Sequence, residues 1–130
     1  MTLLLTLSEA KSKTIEETIN DYFVGYMKAN VSLIKKAFHE DTRLLSIENK
    51  QIDKTEMIDW LRSLEVRNQR GDVRTGRLEV LSIDVTDFAA IAKIRIRVAT
   101  TEFTDYLSLL KVGDEWKIVG KIYYYKSIKR

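Results

Sequence analysis

An α+β fold is predicted by three observations. Apolar residues at helical spacing fill residues 14–38 and recur after residue 56. Four long stretches with strand alternation occupy residues 77–125, and no Pro interrupts them. Helices followed by a run of strands joined through tight turns describe helices packed on an antiparallel sheet.

The elements follow in order. Residues 1–13 read as an N-terminal arm, and the whole chain, 1–130, as one domain. Thr14 and Glu17 make a capping box that opens a helix with Ile15, Ile19, Tyr22, Phe23, Tyr26 and Met27 on one side. It should end near Ala29-Asn30, where Asn30 caps a short helix carrying Val31, Ile34, Ala37 and Phe38. His39-Glu40-Asp41 is a polar turn, residues 42–47 a short strand, and Glu48-Asn49-Lys50 a second turn. Asp53 and Glu56 repeat the capping pattern and predict a third helix with Met57, Trp60, Leu61 and Leu64 inward. Residues 65–76 read as a charged loop; Arg67, Arg70, Arg74 and Arg77 in and after it suit a solvated surface. Strands are predicted at about 77–85, 88–100, 102–112 and 115–125, with turns at Thr86-Asp87 and Gly113-Asp114.

Strand alternation assigns the faces. If Gly113-Asp114 is a two-residue turn, Val112 pairs with Glu115, and regular alternation puts Asp105 opposite Ile122 and Leu107 opposite Gly120. The face under the helices then holds Ala92, Ile94, Ile96, Phe103, Asp105, Leu107, Leu109, Trp116, Ile118, Gly120, Ile122 and Tyr124. The outer face holds Lys93, Arg95, Arg97, Tyr106, Leu110, Lys117, Val119, Lys121, Tyr123 and Tyr125. Three helices cover one face only, so a half-apolar outer face predicts a homodimer packed through it.

Composition removes several function classes. There is no Cys and a single His, which excludes thiolate metal sites, a Cys nucleophile and a multi-His centre within one chain. No metal or cofactor is expected. No Gly-rich phosphate loop or nucleophile elbow is present. The net charge of +3 is concentrated in residues 61–130, which carry 14 Lys/Arg against 9 Asp/Glu. A bias this mild fits an ordinary surface better than a nucleic-acid partner. The N-terminus lacks the basic and long apolar regions of a signal peptide, and no stretch reaches membrane length; a soluble cytoplasmic protein is expected.

Asp105 is the strongest site candidate, a lone carboxylate on an apolar face between Phe103 and Leu107. Burial raises a carboxyl pKa, and such groups gather at functional sites. Tyr22 and Tyr26 lie one turn apart on the core side of the first helix, and buried Tyr hydroxyls need partners. His39, beside Glu40 and Asp41, is the candidate general base; a solvated helix end is the alternative.

The stretches IEETINDYFVGYMKANVSLIKKAFHEDTRLLSI, TEMIDWL and FTDYLSLLKVGDEWKIVGKIYY, in this order, resemble the nuclear transport factor 2-like superfamily. Within it they are most similar to the putative lumazine-binding, or SnoaL-like, group. The resemblance implies a cone-shaped, cystatin-like fold with three N-terminal helices on a curved, mainly antiparallel sheet, a hydrophobic pocket between them, and a dimer. The superfamily includes ketosteroid isomerase, whose first-helix Tyr falls on Tyr22 and whose late-strand protonated Asp falls near Asp105. The isomerase's general-base Asp falls near Ser46, which cannot serve as a carboxylate base.

These readings predict a non-catalytic or weakly catalytic small-molecule-binding domain. Tyr22, Tyr26, Phe38, Trp60, Asp105 and Tyr124 would line its pocket around a small, largely apolar, ring-shaped ligand. The rivals are an isomerase, cyclase or dehydratase using Tyr22 and Asp105 with His39 as base, and an interaction module using the outer sheet face.

Overall fold

A computed structural model describes residues 13–128. The expected arm therefore lies outside the described residues except for Lys13, whose N–H bonds the carbonyl of Asp114.

Helix α1 spans Ile15–Lys28. Thr14 caps it as predicted, its Oγ1 accepting from the Glu17 N–H at 3.0 Å. Ile15, Ile19, Tyr22 and Met27 are buried along one face. The helix stops at Ala29, which takes a left-handed conformation at φ 52°. Asn30 then caps α2, Val31–Ala37, through its side chain. The two helices approach closely because Gly25 has no Cβ; one placed there would sit 2.9 Å from Ile34 Cδ1.

Strands β1, Arg43–Glu48, and β2, Gln51–Glu56, form a hairpin around Asn49 and Lys50, both at positive φ. The expected helix start at Asp53 is thus corrected. Asp53 pairs with Ser46 across the hairpin, so its backbone is committed to a ladder. Helix α3, Met57–Gln69, begins only after Glu56, whose side chain makes no cap. It also runs further into the expected charged loop, and the buried Arg67 is no surface residue. Its guanidinium donates to the carbonyls of Tyr26 (2.8 Å), Met27 (3.2 Å) and Asp72 (3.2 Å), tying the end of α1 to the loop after α3.

The remaining strands are β3, Gly76–Thr86, β4, Ala89–Val98, β5, Thr101–Val112, and β6, Glu115–Ser127. The β3–β4 turn sits at Asp87-Phe88, one residue later than expected, because Thr86 pairs with Ala89. All six strands make one sheet in the order β2-β1-β6-β5-β4-β3, antiparallel except for the β1–β6 contact. The three helices cover one face of this mixed, curved sheet. Ala92, Ile94, Ile96, Leu107, Leu109 and Ile118 project from it against Ile19, Ile34 and Leu64, all nine at 1 % exposure or less. Each Ile or Leu so buried contributes about 1.5–3 kcal/mol.

One irregularity reorganises the inner face. The hairpin starts as predicted, with Val112 opposite Glu115 and Leu109 opposite Ile118, but the next pair is Ser108 with Gly120. Val119 is an extra residue, a β-bulge in β6. Beyond it Leu107 lies opposite Lys121, Asp105 opposite Tyr123, and Phe103 opposite Tyr125. Lys121, Tyr123 and Tyr125 therefore stand on the inner face, where Gly120, Ile122 and Tyr124 were expected. Ile122 and Tyr124 point outward at 54 % and 58 % exposure.

Candidate functional site

The inner face becomes polar just past the bulge. Tyr22 comes down from α1, Asp105 up from β5, and Lys121 from β6 beside it. The Tyr22 hydroxyl donates to Asp105 Oδ2 at 2.6 Å and accepts from Lys121 Nζ. The Lys121 ammonium lies 3.6 Å from the same carboxylate oxygen. Tyr22, Asp105 and Lys121 are all buried, Asp105 fully. The Lys121 nitrogen is also surrounded by ring faces, 4.6 Å from the centroid of Tyr22, 4.9 Å from Tyr123 and 5.1 Å from Trp60. Such contacts stabilise a cation.

Burial shapes the protonation of this triad. It pushes the Tyr22 phenol well above its ordinary value, with the Asp105 carboxylate adding to the shift, so Tyr22 stays a donor. Burial also pulls the Lys121 ammonium down, against the holding effect of Asp105. Two polar atoms here have no hydrogen-bond partner, Asp105 Oδ1 and Ser46 Oγ. A buried acceptor left unpaired costs about 1–3 kcal/mol, so each is a place where a donor would be bound with gain.

Of the sequence-predicted residues, the fold brings Tyr22, Phe38, Trp60 and Asp105 together. Tyr22, Phe38 and Trp60 form an edge-on cluster with centroids 5.1, 5.2 and 6.0 Å apart. Tyr26 stands one turn further along α1, edge-on to Phe103 at 6.2 Å. Those two rings form part of the wall of a cavity of about 530 Å³, completed by Arg74, Thr75, Val98, Ala99 and Thr101. Arg74 is held there by Tyr26 Oη at 3.1 Å and Asp72 at 3.6 Å. Phe103 also packs on Tyr123 and Tyr125, linking the cavity wall to the rings around Lys121.

Besides Tyr26, which lines the neighbouring cavity, two predicted residues are not brought to the triad. Tyr124 is on the outer face, because the bulge reverses the alternation. His39 is 47 % exposed at its side chain and bonds within its own turn, its Nδ1 accepting from the Asp41 N–H. No contact joins the imidazole to Tyr22, Asp105 or Lys121 among the described residues. The residues missed were Lys121 and Tyr123. Gly120 within an otherwise regular strand was the available signal, since an isolated strand Gly marks a bulge. Among the described residues no cluster of His, Asp or Glu could hold a metal, and no helix is long and apolar enough to cross a membrane.

Comparison with known proteins places this site in a family context. The family model described as putative lumazine-binding matches residues 10–124. Three solved structures share the fold, each described only as a nuclear transport factor 2-like protein of unknown function. The one from Silicibacter pomeroyi is 15 % identical at a TM-score of 0.75, over 86 % of this chain and 92 % of its own. The one from Shewanella baltica is 20 % identical at 0.71, over 97 % of both chains. The one from Methylobacillus flagellatus is 22 % identical at 0.71, over 87 % of this chain and 90 % of its own. No curated protein matches the sequence.

Proposed function

The chain belongs to the putative lumazine-binding family of the nuclear transport factor 2-like superfamily, and from that premise we propose that it is a small-molecule-binding domain whose polar anchor is the Tyr22–Asp105–Lys121 triad. The observation that carries this reading is Asp105 Oδ1, fully buried among aromatic rings and without a hydrogen-bond partner. A ligand N–H or O–H would complete it, while Trp60, Phe38 and Tyr123 offer rings to a flat, largely apolar body. The cavity beside Tyr26 and Phe103 is a neighbouring space: of the expected pocket residues only Tyr26 lines it, and it meets the triad only through the packing of Phe103 on Tyr123.

The test is a melting-temperature series with lumazine, a planar ring bearing N–H donors, and with 2-naphthol, a ring bearing one O–H. At least one should raise the wild-type melting temperature and fail to do so for Asp105→Asn, which keeps shape but replaces the carboxylate. An equal shift in wild type and Asp105→Asn would remove Asp105 from the site. The isomerase-type enzyme is the weaker reading, since the half-exposed His39 bonds within its own turn and Ser46 stands near where the carboxylate base would be.

A homodimer through the outer sheet face is part of the same proposal. Ile91, Tyr106, Leu110, Ile122 and Tyr124 are exposed on that face by 42–60 %, a grouping of large apolar side chains of the kind that marks an interaction surface. Light scattering on wild type and Ile122→Glu tests it: a dimer that the substitution splits supports the interface, and a wild-type monomer excludes it.

A further inference from the structure

We propose that Lys121 is a carbonyl-capturing amine and that the ligands of this site include small aldehydes or ketones held as an imine on its Nζ. The inference rests on reading the triad as a ligand site, and it adds a covalent chemistry to that reading.

Geometry carries the argument. Lys121 is the only lysine placed on the inner face past the bulge, with its side chain 7 % exposed. Its nitrogen makes one hydrogen bond among the described residues, to Tyr22 Oη, although an ammonium has three hydrogens to donate. A surface lysine is protonated and inert near neutral pH; a lysine desolvated among apolar groups releases its proton and becomes a nucleophile. Burial acts on Lys121 in that direction, against the holding effect of Asp105, so the ammonium gives its proton up more readily than a surface lysine does and the attacking species is the neutral fraction. The ring faces of Tyr22, Trp60 and Tyr123 that hold an ammonium hold an iminium equally well, because both carry one positive charge. Asp105 supplies the counter-charge to either. Trp60 and Tyr123 are only partly buried, so the wall of the cage they form is the side from which a carbonyl compound reaches the amine.

Tyr22 completes the chemistry as proton carrier, standing between the amine and the carboxylate. The neutral amine attacks the carbonyl carbon, a C–N bond forms, and the π pair moves to oxygen. That oxygen takes the Tyr22 proton as Tyr22 takes one from the new ammonium, giving a neutral carbinolamine. The nitrogen lone pair then expels the hydroxyl, which Tyr22 protonates as it takes the N–H proton of the forming iminium, and water leaves. Each transfer passes through the Tyr22 oxygen without a free phenolate beside Asp105, and amine and carbonyl give imine and water with no redox change. The missing carboxylate at Ser46 is no obstacle to this route, which needs no base at that position.

The test is reductive trapping of the full chain with benzaldehyde and sodium cyanoborohydride near neutral pH, followed by peptide mapping. Lys121 should carry the benzyl group before Lys54 and Lys126, whose side chains are 51 % and 61 % exposed and serve as internal standards. Tyr22→Phe keeps the amine and should slow trapping at Lys121 by about a hundredfold. Lys121→Met should lose the fast label; because that variant leaves the buried Asp105 without its cation, Lys121→Met with Asp105→Asn is made in parallel and its fold checked by circular dichroism. Labelling of Lys54 and Lys126 ahead of Lys121, fast labelling that survives in a folded Lys121 variant, or an unchanged rate in Tyr22→Phe would each overturn the proposal. Melt shifts with lumazine or 2-naphthol that depend on Asp105, without trapping at Lys121, would leave the binding reading standing and remove this one.

Discussion

The two halves of the β5–β6 hairpin do different work, and Val119 is where they meet. On the turn side, Leu109, Trp116 and Ile118 face the helices as ordinary core. On the far side, the same inner face presents Asp105, Lys121, Tyr123 and Tyr125. Pairing is antiparallel throughout, and one extra residue separates the two. The apolar half needs only to be filled. The polar half holds a buried carboxylate and a buried lysine that are tolerable only together, because a charge without a partner in the interior is costly. The lesson is that register, rather than composition, makes the site: the same residues in unbroken alternation would bury Ile122 and leave Lys121 in water.

The largest expected effect comes from breaking register past the bulge. An Ala inserted between Gly120 and Lys121 turns Lys121 and Tyr123 to the outer face and strips Asp105 of its cation. A loss of about 5 kcal/mol or more is expected in urea denaturation, whereas the same insertion in the exposed Asp87-Phe88 turn should cost far less. Equal losses at both places would show that the polar half is not specified by register.

Next in size is Asp105→Ala, which leaves Lys121 buried and unpaired. The expected cost is about 3–5 kcal/mol by chemical denaturation. Leu107→Ala, the neighbouring inner-face truncation with a cavity but no orphaned charge, gives the reference of about 2–5 kcal/mol. The two separate in pH dependence rather than size. The Asp105→Ala loss should shrink as pH rises and Lys121 releases its proton, while the Leu107→Ala loss stays flat.

Tyr22→Phe should cost about 1–3 kcal/mol, since Asp105 Oδ2 loses a donor and Lys121 its acceptor. The phenol is raised above its ordinary 10.0, so the stability it contributes is complete below pH 10 and is lost as pH climbs from there through the folded value. Lys121 has the opposite sign. Its folded value lies below 10.5, so in that window the unfolded chain binds more protons and stability rises with pH. Wild type should therefore lose stability above pH 10 more steeply than Tyr22→Phe, as followed by denaturation midpoints. Parallel curves would mean that the phenol is not held up by burial and Asp105.

Much of this arrangement was legible in the sequence, and the failures share one cause. Thr14, Asn30 and the Gly113-Asp114 turn are local signals with local consequences, and each appears where expected. Asp105 under Tyr22 was also readable, because Phe103, Leu107 and Leu109 share its phase in β5 and mark that face as the buried one. β2 was missed because it is an exposed edge strand: residues 51–54 are all solvent-facing, so no apolar alternation marks them, and Asp53 with Glu56 mimics a helix start. Lys121 was missed because both phases of residues 121–125 are half apolar. Ile122 and Tyr124 make as good an inner face as Lys121 and Tyr123 until the pairing partner is known. The choice is made by tertiary contacts: Tyr22 from α1 and the parallel pairing of Leu44 with Lys121.

The smallest predicted effect tests that choice directly. Tyr124 and Tyr123 are neighbours with identical side chains, and alternation alone cannot say which faces the helices. Tyr124→Ser removes an exposed ring and should change monomer stability by less than about 0.5 kcal/mol, with any lumazine or 2-naphthol melt shift unaltered. Tyr123→Ser removes a ring that packs on Phe103, stacks with Tyr125 and faces the Lys121 ammonium. It should cost about 1–3 kcal/mol and diminish the ligand shift. If the two variants exchanged behaviour, β6 would run through position 119 without a bulge, Lys121 would lie outside, and Asp105 would again be a lone carboxylate.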